Sequence, residues 1–343
     1  MDGTIIVTGA NGGLGSAIVS QIVQLPEYSA LHGIYTVRDT GTSAGLKAML
    51  DRDGRHEEQN QHQILGLDLS RLSDVRRFAA EVNALVAEGR LPPIRALALN
   101  AGFLEQAAQT MSDDGLDMSF QVNYLAHFLL TVLLLQSMDR RKGRILVTGS
   151  WLHDPDDARF DGAAIFPEQY RPILKEGVRP LAQGSWGGTD GWAGRRRYGA
   201  SKLCEAIMVM ELQRRLDRDP ILRDISVMGL DPGGMPSGIM RRTSFLESTV
   251  INYLAGNALA PIMTWLWPNG QLRTTAKSAS DALRALFEDN AWGNHPKAVY
   301  LNGSEVSDVS VEAKDLKTGT ALWRESVALA RIVASDTKLV EWS

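Results

Sequence analysis

The stretch TGANGGLG, residues 8–15, follows the β-branched run TIIV and leads into an apolar helical pattern over residues 14–25. Glycines at such a strand-to-helix turn permit a tight bend, and they let the backbone approach a pyrophosphate at the N-terminus of the helix. A glycine-rich loop alone is a weak motif, and its plainest alternative is an ordinary tight turn. The strand before it and the helix after it indicate a dinucleotide-binding loop.

Short apolar strands and helical patterns alternate along the rest of the chain. The predicted strands lie at residues 4–9, 32–37, 63–69, 94–100, 144–150, 225–231 and 298–302. Near-continuous apolar strands separated by helices are typical of a parallel sheet that is covered on both faces. The sequence therefore predicts an α/β Rossmann fold with one doubly wound, mostly parallel, seven-stranded sheet, in a single domain over residues 1–343.

The composition is that of an ordinary globular protein. Of the 343 residues, 44% are hydrophobic and 22% are charged, and the net charge of −4 gives no basic footprint for a nucleic acid. The single cysteine, Cys204, excludes an internal disulfide and fits a reducing compartment. The N-terminus has no secretory signal pattern, and the longest apolar run, residues 128–138, is shorter than the ~20 residues that span a bilayer. We expect a cytoplasmic protein without stable membrane insertion.

A second motif, YGASK at residues 198–202, places a phenol four residues before an ammonium group. Side chains with this spacing are neighbours on one helix face, but such pairs also occur by chance in many helices. The pair has to be read together with four further motifs. These are NAG at residues 100–102, Asn123 in QVNYLAHF, Ser150 at the end of the fifth predicted strand, and DPGGMPS at residues 231–237.

With the pattern T-G-x-x-x-G-x-G at Gly9, Gly13 and Gly15, these motifs stand in one fixed order along the chain. That order resembles the short-chain dehydrogenase/reductase family, from residue 8 to residue 237. The resemblance implies a nicotinamide cofactor and an oxidoreductase activity, and it implies no metal.

The resemblance also implies roles for four side chains. In the family a tyrosine is the general acid/base, and the matching residue is Tyr198. The pKa of a free phenol is about 10, and a nearby ammonium lowers it. Lys202 is expected to do so and to bind the nicotinamide ribose. Ser150 matches the residue that hydrogen-bonds the substrate oxygen, and Asn123 matches the helix position that supports a proton-relay water. Without the family, Asn123 reads as a polar residue on an apolar helix.

The same resemblance assigns a set of cofactor-binding residues. They are Gly9, Asn11, Gly13, Leu14, Gly15, Arg38, Asp68, Leu69, Asn100, Ala101, Gly102, Tyr198, Lys202, Pro232, Gly233 and Ser237. Asp68 matches the contact to the adenine ring, and Pro232 and Gly233 match the motif that flanks the nicotinamide. Ser237 stands where the family often has a threonine that reaches the nicotinamide amide or a phosphate.

The second predicted strand ends in TVRD, and its last residues bear on the choice of dinucleotide. An acidic residue there binds both ribose hydroxyls of NAD, whereas an arginine accommodates the 2′-phosphate of NADP. Because Arg38 stands at the discriminating position, we predict NADP(H). Asp39 follows directly, and a shift of one residue would reverse the preference. Gly12 stands where many NADP-using relatives carry Arg or Lys.

A long insert, residues 151–197, separates Ser150 from Tyr198 and departs from most of the family. Relatives with a comparable insert fold it over the helix that otherwise forms the dimer, predicted here at residues 113–138. The insert or a second subunit must cover that apolar helix, and we favour a monomer over a homodimer. His153 matches a histidine of retinol-dehydrogenase-like relatives, and its alternative is an ordinary surface or core histidine.

Residues 235–271 occupy the place of the family's substrate-binding loop. Apolar side chains such as Met263, Trp265 and Trp267 predict a bulky hydrophobic substrate, and a membrane-surface role is the alternative. The C-terminal pattern resembles fungal reductases of secondary metabolism. We therefore predict an NADP(H)-dependent oxidoreductase that interconverts a ketone or aldehyde and an alcohol. Two alternatives stay open: an isomerase, dehydratase or cyclase without net redox, and a non-catalytic NADP-binding protein.

Overall fold

The β-branched runs of the sequence form the strands of one central sheet in the computed structural model, which describes residues 2–52, 61–106, 108–159, 162–235, 256–289, 291–293 and 295–343. The strands are β1 (Asp2–Val7), β2 (Ala30–Val37), β3 (His62–Gly66), β4 (Ile94–Leu99), β5 (Arg144–Thr148), β6 (Ser226–Asp231), β7 (Val299–Asn302) and β8 (Glu305–Ser307). Their order is β3-β2-β1-β4-β5-β6-β7-β8. The predicted α/β class with a mostly parallel sheet is confirmed.

The prediction of seven strands was wrong by one, because the sheet of the described residues has eight. The additional strand, β8, runs antiparallel to β7 and pairs Asn302 with Glu305. Gly303, with φ of +64°, and Ser304 form the two-residue turn between them. A positive φ at such a turn suits a tight hairpin. A run of three residues is too short to be recognised as a strand from sequence.

Helices cover both faces of this sheet. They are α1 (Gly13–Gln24), α2 (Ala44–Arg52), α3 (Leu72–Ala87), α4 (Ala126–Leu134), α5 (Gly162–Ile165), α6 (Arg179–Ala182), α7 (Ala193–Leu216), α8 (Gly256–Leu266), α9 (Thr275–Phe287), α10 (Val311–Lys314) and α11 (Leu316–Leu329). Helices α1 and α9 bury their apolar sides in one core cluster, whereas α3, α4, α7 and α11 share the cluster on the opposite face.

The helix predicted at residues 113–138 begins later than expected. Asp117 Oδ1 accepts hydrogen bonds from the backbone N–H groups of Ser119 and Phe120, at 3.0 and 3.1 Å. A carboxylate in this position caps a helix start. The helix then opens with a π-helical turn, Phe120–Leu125, and continues as α4. Among the described residues this is the one stretch long and apolar enough to cross a membrane, but 89% of it is buried inside the fold, as expected for a core helix.

The chain itself covers this apolar helix. From the insert, Ala182 accepts a 2.8 Å hydrogen bond from the backbone N–H of Asp117. From α11, the ring of Trp323 meets Phe128 edge-on at 4.8 Å. Every residue of α4 is buried, so the insert and the C-terminal helix share the covering role that the sequence left open between the insert and a second subunit.

Candidate active site

A cleft runs along the carboxyl edge of the sheet, beside the point where the strand order reverses between β1 and β4. Ligands of open α/β sheets bind in such a crevice. Two adjoining cavities of about 550 and 730 Å³ form the cleft, and both are lined by Gly9, Asn11, Gly12, Ala101 and Gly102. The glycine loop and the NAG motif therefore stand at the middle of one continuous site.

The glycine loop leaves room for a phosphate group at the start of α1. Gly12 is the N-cap and has no side chain that could cap the helix, and the first turn of α1 holds no acidic residue. A Cβ at Gly15 would lie 2.3 Å from the Gly9 carbonyl oxygen, so only glycine permits this close turn. The free N–H groups and the positive end of the helix dipole suit a pyrophosphate. The cradle thus fits a dinucleotide.

A buried network behind the loop fixes the ends of β1 and β4. Thr8 Oγ1 accepts from the backbone N–H groups of Asn100 and Ala101 at 2.8 and 3.0 Å, and it lies 3.0 Å from His127 Nε2. The other ring nitrogen of His127 lies 2.9 Å from the Asn123 carbonyl oxygen. Burial lowers the pKa of His127 to about 3, so this histidine is neutral. Thr8 and His127 were not identified from the sequence.

At the far end of the cleft, Arg38, Asp68 and Leu69 line the larger cavity. Asp39 does not line it, because its side chain caps the next turn by accepting a 2.8 Å hydrogen bond from the backbone N–H of Gly41. Of the two residues that compete in the sequence, Arg38 therefore lines the cleft and Asp39 does not.

At the opposite end, Ser150, Tyr198 and Lys202 line the smaller cavity together. The Ser150 side chain lowers the pKa of the Tyr198 phenol, and Lys202 Nζ lies 5.5 Å from the centre of the Tyr198 ring. Burial raises the pKa of Tyr198, and Lys202 and Ser150 only partly offset that rise. The sequence led us to expect a lowered pKa, and the outcome differs because the phenol is buried.

The backbone of Ser150 is held from below by two buried rings. Its N–H donates to the Tyr300 hydroxyl at 3.1 Å, and its carbonyl oxygen lies 2.7 Å from His153 Nδ1. The Ser310 N–H donates to His153 Nε2 at 3.2 Å, so the proton of the ring is on Nδ1. Burial lowers the pKa of His153, which keeps it neutral. His153 is thus a buried brace for the serine loop.

Lys202 contacts two groups besides the tyrosine. Its Nζ donates to the Thr148 carbonyl oxygen at 2.7 Å and lies 2.8 Å from Glu205 Oε2, one helical turn further along α7. Burial by itself lowers the pKa of Lys202, but Glu205 and Tyr198 outweigh it, and the pKa is raised. Glu205 was not identified from the sequence, although its i,i+3 spacing from the lysine was a readable signal.

Asn123 lies beside the site but has no hydrogen bond to the lysine. Its side-chain oxygen accepts from the Phe103 N–H at 2.6 Å, and its Nδ2 donates to the Phe103 carbonyl and to Ser201 Oγ at 3.0 and 2.8 Å. These bonds tie the π-helical turn to the NAG loop and to α7. The side chain that the sequence assigned to a proton relay therefore has a bracing geometry.

The loop after β6 brings Pro232 and Gly233 to the same cavity as the tyrosine. Asp231 orients this loop, because its Oδ1 accepts from the Gly233 N–H at 2.9 Å and its Oδ2 pairs with Arg159 of the insert at 2.7 Å. The fully buried Arg273 donates to the Asp231 carbonyl oxygen at 3.0 Å. Ser237 lies outside the described residues.

The wall beyond the tyrosine is largely apolar. It is formed by Leu104, Trp151, Leu152, Ile165, Arg195 and Met235. Of the segment predicted to cover the substrate, residues 235–271, Met235 lines this cavity and the described residues 256–271 do not. Helix α8 is tied instead to the start of α9, where Thr264 Oγ1 accepts from the Thr274 N–H at 3.0 Å. Trp265, on α8, is 80% exposed. Residues 236–255 lie outside the described part of the chain.

Known proteins resemble this chain both in sequence and in fold. A family model described as short chain dehydrogenase matches residues 3–154. The short-chain dehydrogenase iccH of Talaromyces variabilis is 45% identical, over 99% of both chains. Retinol dehydrogenase 13 of Homo sapiens is 28% identical, over 98% of this chain and 86% of its own length.

Among solved structures, the NADPH-bound carbonyl reductase from chicken fatty liver superposes with a TM-score of 0.54 at 16% identity, covering 89% of this chain and 98% of that one. That likeness concerns the fold alone, whereas the match to iccH extends over the whole chain. The chain belongs to the short-chain dehydrogenase/reductase family.

Proposed function

We propose that the protein is an NADP(H)-dependent oxidoreductase that interconverts a ketone or aldehyde and an alcohol on a bulky hydrophobic small molecule. The observation that carries this proposal is the shared cavity: Ser150, Tyr198 and Lys202 line the same space as the glycine loop and Pro232. A nucleotide held by the loop would extend toward the tyrosine along this cleft. Membership of an oxidoreductase family supports the reaction class.

The choice of NADP(H) rests on Arg38. Its side chain lines the adenosine end of the cleft beside Ser16 and Thr42, whereas Asp39 is engaged with Gly41. A guanidinium group binds a phosphate through paired N–H donors, and a carboxylate in the same place would repel it. These contacts favour a cofactor that carries a 2′-phosphate.

The nicotinamide supplies the hydride when it is bound. The remaining chemistry belongs to the protein. Ser150 and Tyr198 line the same cavity, and together they can bind one carbonyl oxygen of a substrate. Tyr198 gives its proton to that oxygen during reduction and takes it back during oxidation. The raised pKa of Tyr198 keeps the phenol protonated at neutral pH, which favours carbonyl reduction.

The apolar wall supports a lipophilic substrate. Leu104, Trp151, Leu152, Ile165 and Met235 offer carbon surface to it, and a bulky ring or chain gains free energy by burial there. The fungal origin of iccH agrees with the resemblance of the C-terminal segment to fungal reductases of secondary metabolism. We propose a cytoplasmic site of action.

The test is Tyr198→Phe, measured with NADPH and a hydrophobic model ketone. Loss of the proton donor should lower turnover about 10²–10⁴-fold while NADPH binding is retained. The matched control is Tyr124→Phe, which removes a buried hydroxyl that is bonded to Ser326 at 2.7 Å outside the lining of the cleft. Near-normal turnover by Tyr198→Phe would refute the acid/base role. Product formation without NADPH consumption would instead favour an isomerase, dehydratase or cyclase.

A further inference from the structure

We propose that Glu205 is a positioning residue for the reaction: its carboxylate anchors Lys202 from behind the cleft and offsets the lysine charge, so that Tyr198 stays in its proton-donating form. The inference rests on the proposed oxidoreductase function. A tyrosine that keeps its proton near neutral pH serves carbonyl reduction better than alcohol oxidation.

Glu205 and Lys202 form a buried ion pair. Glu205 is 1% exposed and Lys202 is 3% exposed, and their charged atoms lie 2.8 Å apart. Lys202 lines the cavity and Glu205 does not, so the carboxylate holds the lysine from the protein side. The remaining contact of the ammonium, to the Thr148 carbonyl oxygen, leaves room for a third donor bond toward the cleft.

The carboxylate of Glu205 is committed to Lys202. Neither oxygen of Glu205 has a regular hydrogen-bond partner, and the ion pair with Lys202 is its one close polar contact among the described residues. A buried carboxylate is costly unless it is paired. The buried carboxylate of Glu205 is paired with the lysine of the proposed catalytic group. Glu205 is therefore placed to balance the charge of that group.

Other titratable groups surround the ion pair of Glu205 and Lys202. The titratable groups that interact with Glu205, Lys202 or Tyr198, or with a neighbour of theirs, are Cys204 on α7, His127 on α4, Asp231 on β6, Tyr300 on β7 and Glu312 on α10. Burial raises the pKa of Cys204 and of Tyr300 and lowers that of His127, so these three are neutral. Asp231 is paired with Arg159 at 2.7 Å.

Burial is the largest cause of the raised pKa of Tyr198, and Lys202, Glu205 and then Asp231 are the charges that act on it. The ammonium lowers the pKa of Tyr198 and the carboxylate raises it. Burial raises the pKa of Glu205 to about 7, and Lys202 limits that rise. Above this pH the carboxylate is ionised and cancels part of the lysine charge. Removing the carboxylate should make Tyr198 easier to ionise.

The experiment compares wild type with Glu205→Gln, which keeps the size of the side chain and removes its charge. Reduction of acetophenone by NADPH requires the protonated phenol, so its activity falls as pH rises through the pKa of Tyr198. Oxidation of 1-phenylethanol by NADP requires the phenolate and shows the opposite dependence. In Glu205→Gln the midpoints of both pH–activity curves should move to lower pH by about one unit. At a fixed pH on the sloping part of either curve, this shift changes the reaction rate about tenfold.

A second readout does not depend on turnover. The near-ultraviolet absorbance of tyrosinate is titrated in wild type and in Glu205→Gln, each with its Tyr198→Phe counterpart subtracted. The midpoint assigned to Tyr198 should be about one pH unit lower in Glu205→Gln. If the titration moves and acetophenone is not reduced, the role of Glu205 holds while the proposed oxidoreductase activity fails.

Two variants separate this role from a structural one. Glu205→Asp keeps the charge and should restore most of the wild-type midpoint. Glu211→Gln removes a buried charge from the same helix, where it pairs with Arg214 and Arg215 at 2.5 and 2.8 Å, and it should leave the midpoint in place. An unchanged midpoint in Glu205→Gln, or one that moves to higher pH because Lys202 has lost its proton, would overturn the proposal.

Discussion

At the residue scale, the proposed preference for NADP(H) depends on one adjacent pair of residues. Arg38 is exposed and lines the cleft, whereas the carboxylate of Asp39 is held by the Gly41 N–H. Both residues follow the end of β2 at Val37, and Asp39 is the N-cap of the turn Thr40–Thr42. This arrangement supports the proposal that Arg38, and not Asp39, meets the ribose of the cofactor.

The prediction at this scale concerns Arg38→Ala. Charged hydrogen bonds to a phosphate contribute about 1.5–3 kcal/mol, so NADPH affinity should fall about 10–100-fold. NADH lacks the 2′-phosphate, and its affinity should change little. Binding of both cofactors is measured by titration calorimetry, with Arg71→Ala as the exposed control. Equal losses for NADPH and NADH would show that Arg38 does not select the phosphate.

At the element scale, Arg159 joins the insert to the loop after β6. Arg159 pairs with Asp157 at 2.6 Å and with Asp231 at 2.7 Å, and it lies over the ring of Trp151 at 5.3 Å. Asp231 in turn orients the loop of Gly233. The insert thus supports the loop beside the proposed nicotinamide position. It also contacts the start of the helix that continues as α4.

For this element we expect Arg159→Ala to destabilise the protein by about 3 kcal/mol, because the side chain of Asp231, 2% exposed, would keep a buried charge without its partner. The melting temperature should fall by several degrees, and the affinity for NADPH should fall with it. Arg71→Ala breaks an ion pair whose side chains are 58% and 70% exposed, and it should cost less than about 1 kcal/mol. Equal melting temperatures for the two variants would contradict this account.

At the scale of the whole molecule, we expect a monomer in solution. The surface that could pair two subunits through α4 is occupied by the chain itself: Tyr124 bonds Ser326 of α11 at 2.7 Å, and Phe128 packs on Trp323. Burying these aromatic side chains within one chain removes the apolar area that would stabilise a dimer. Light scattering at micromolar concentration should give a mass near 37.5 kDa. A stable mass of twice that value would reject the expectation.

Much of the fold could be predicted because parallel strands and their helices are encoded in local patterns. The strand runs and the glycine loop are contiguous in sequence, and their periodicity and glycine positions are visible without any contact. The helix start directly after Asp117 was missed because this capping residue lies inside what reads as a helical pattern. Strand β8 was missed because a three-residue run carries too little signal.

The sequence by itself determined the α/β class, the order of the motifs and the family, since each depends on residues that are close together in the chain. Only the tertiary structure decided what surrounds them. Tyr300, which is hydrogen-bonded to Ser150, and Arg273, which is hydrogen-bonded to Asp231, come from distant segments of the chain. No residue spacing in the sequence predicts these contacts. The raised pKa of Tyr198 was likewise decided by burial and by Glu205, because desolvation depends on the packing of the whole chain and not on the interval between a tyrosine and a lysine.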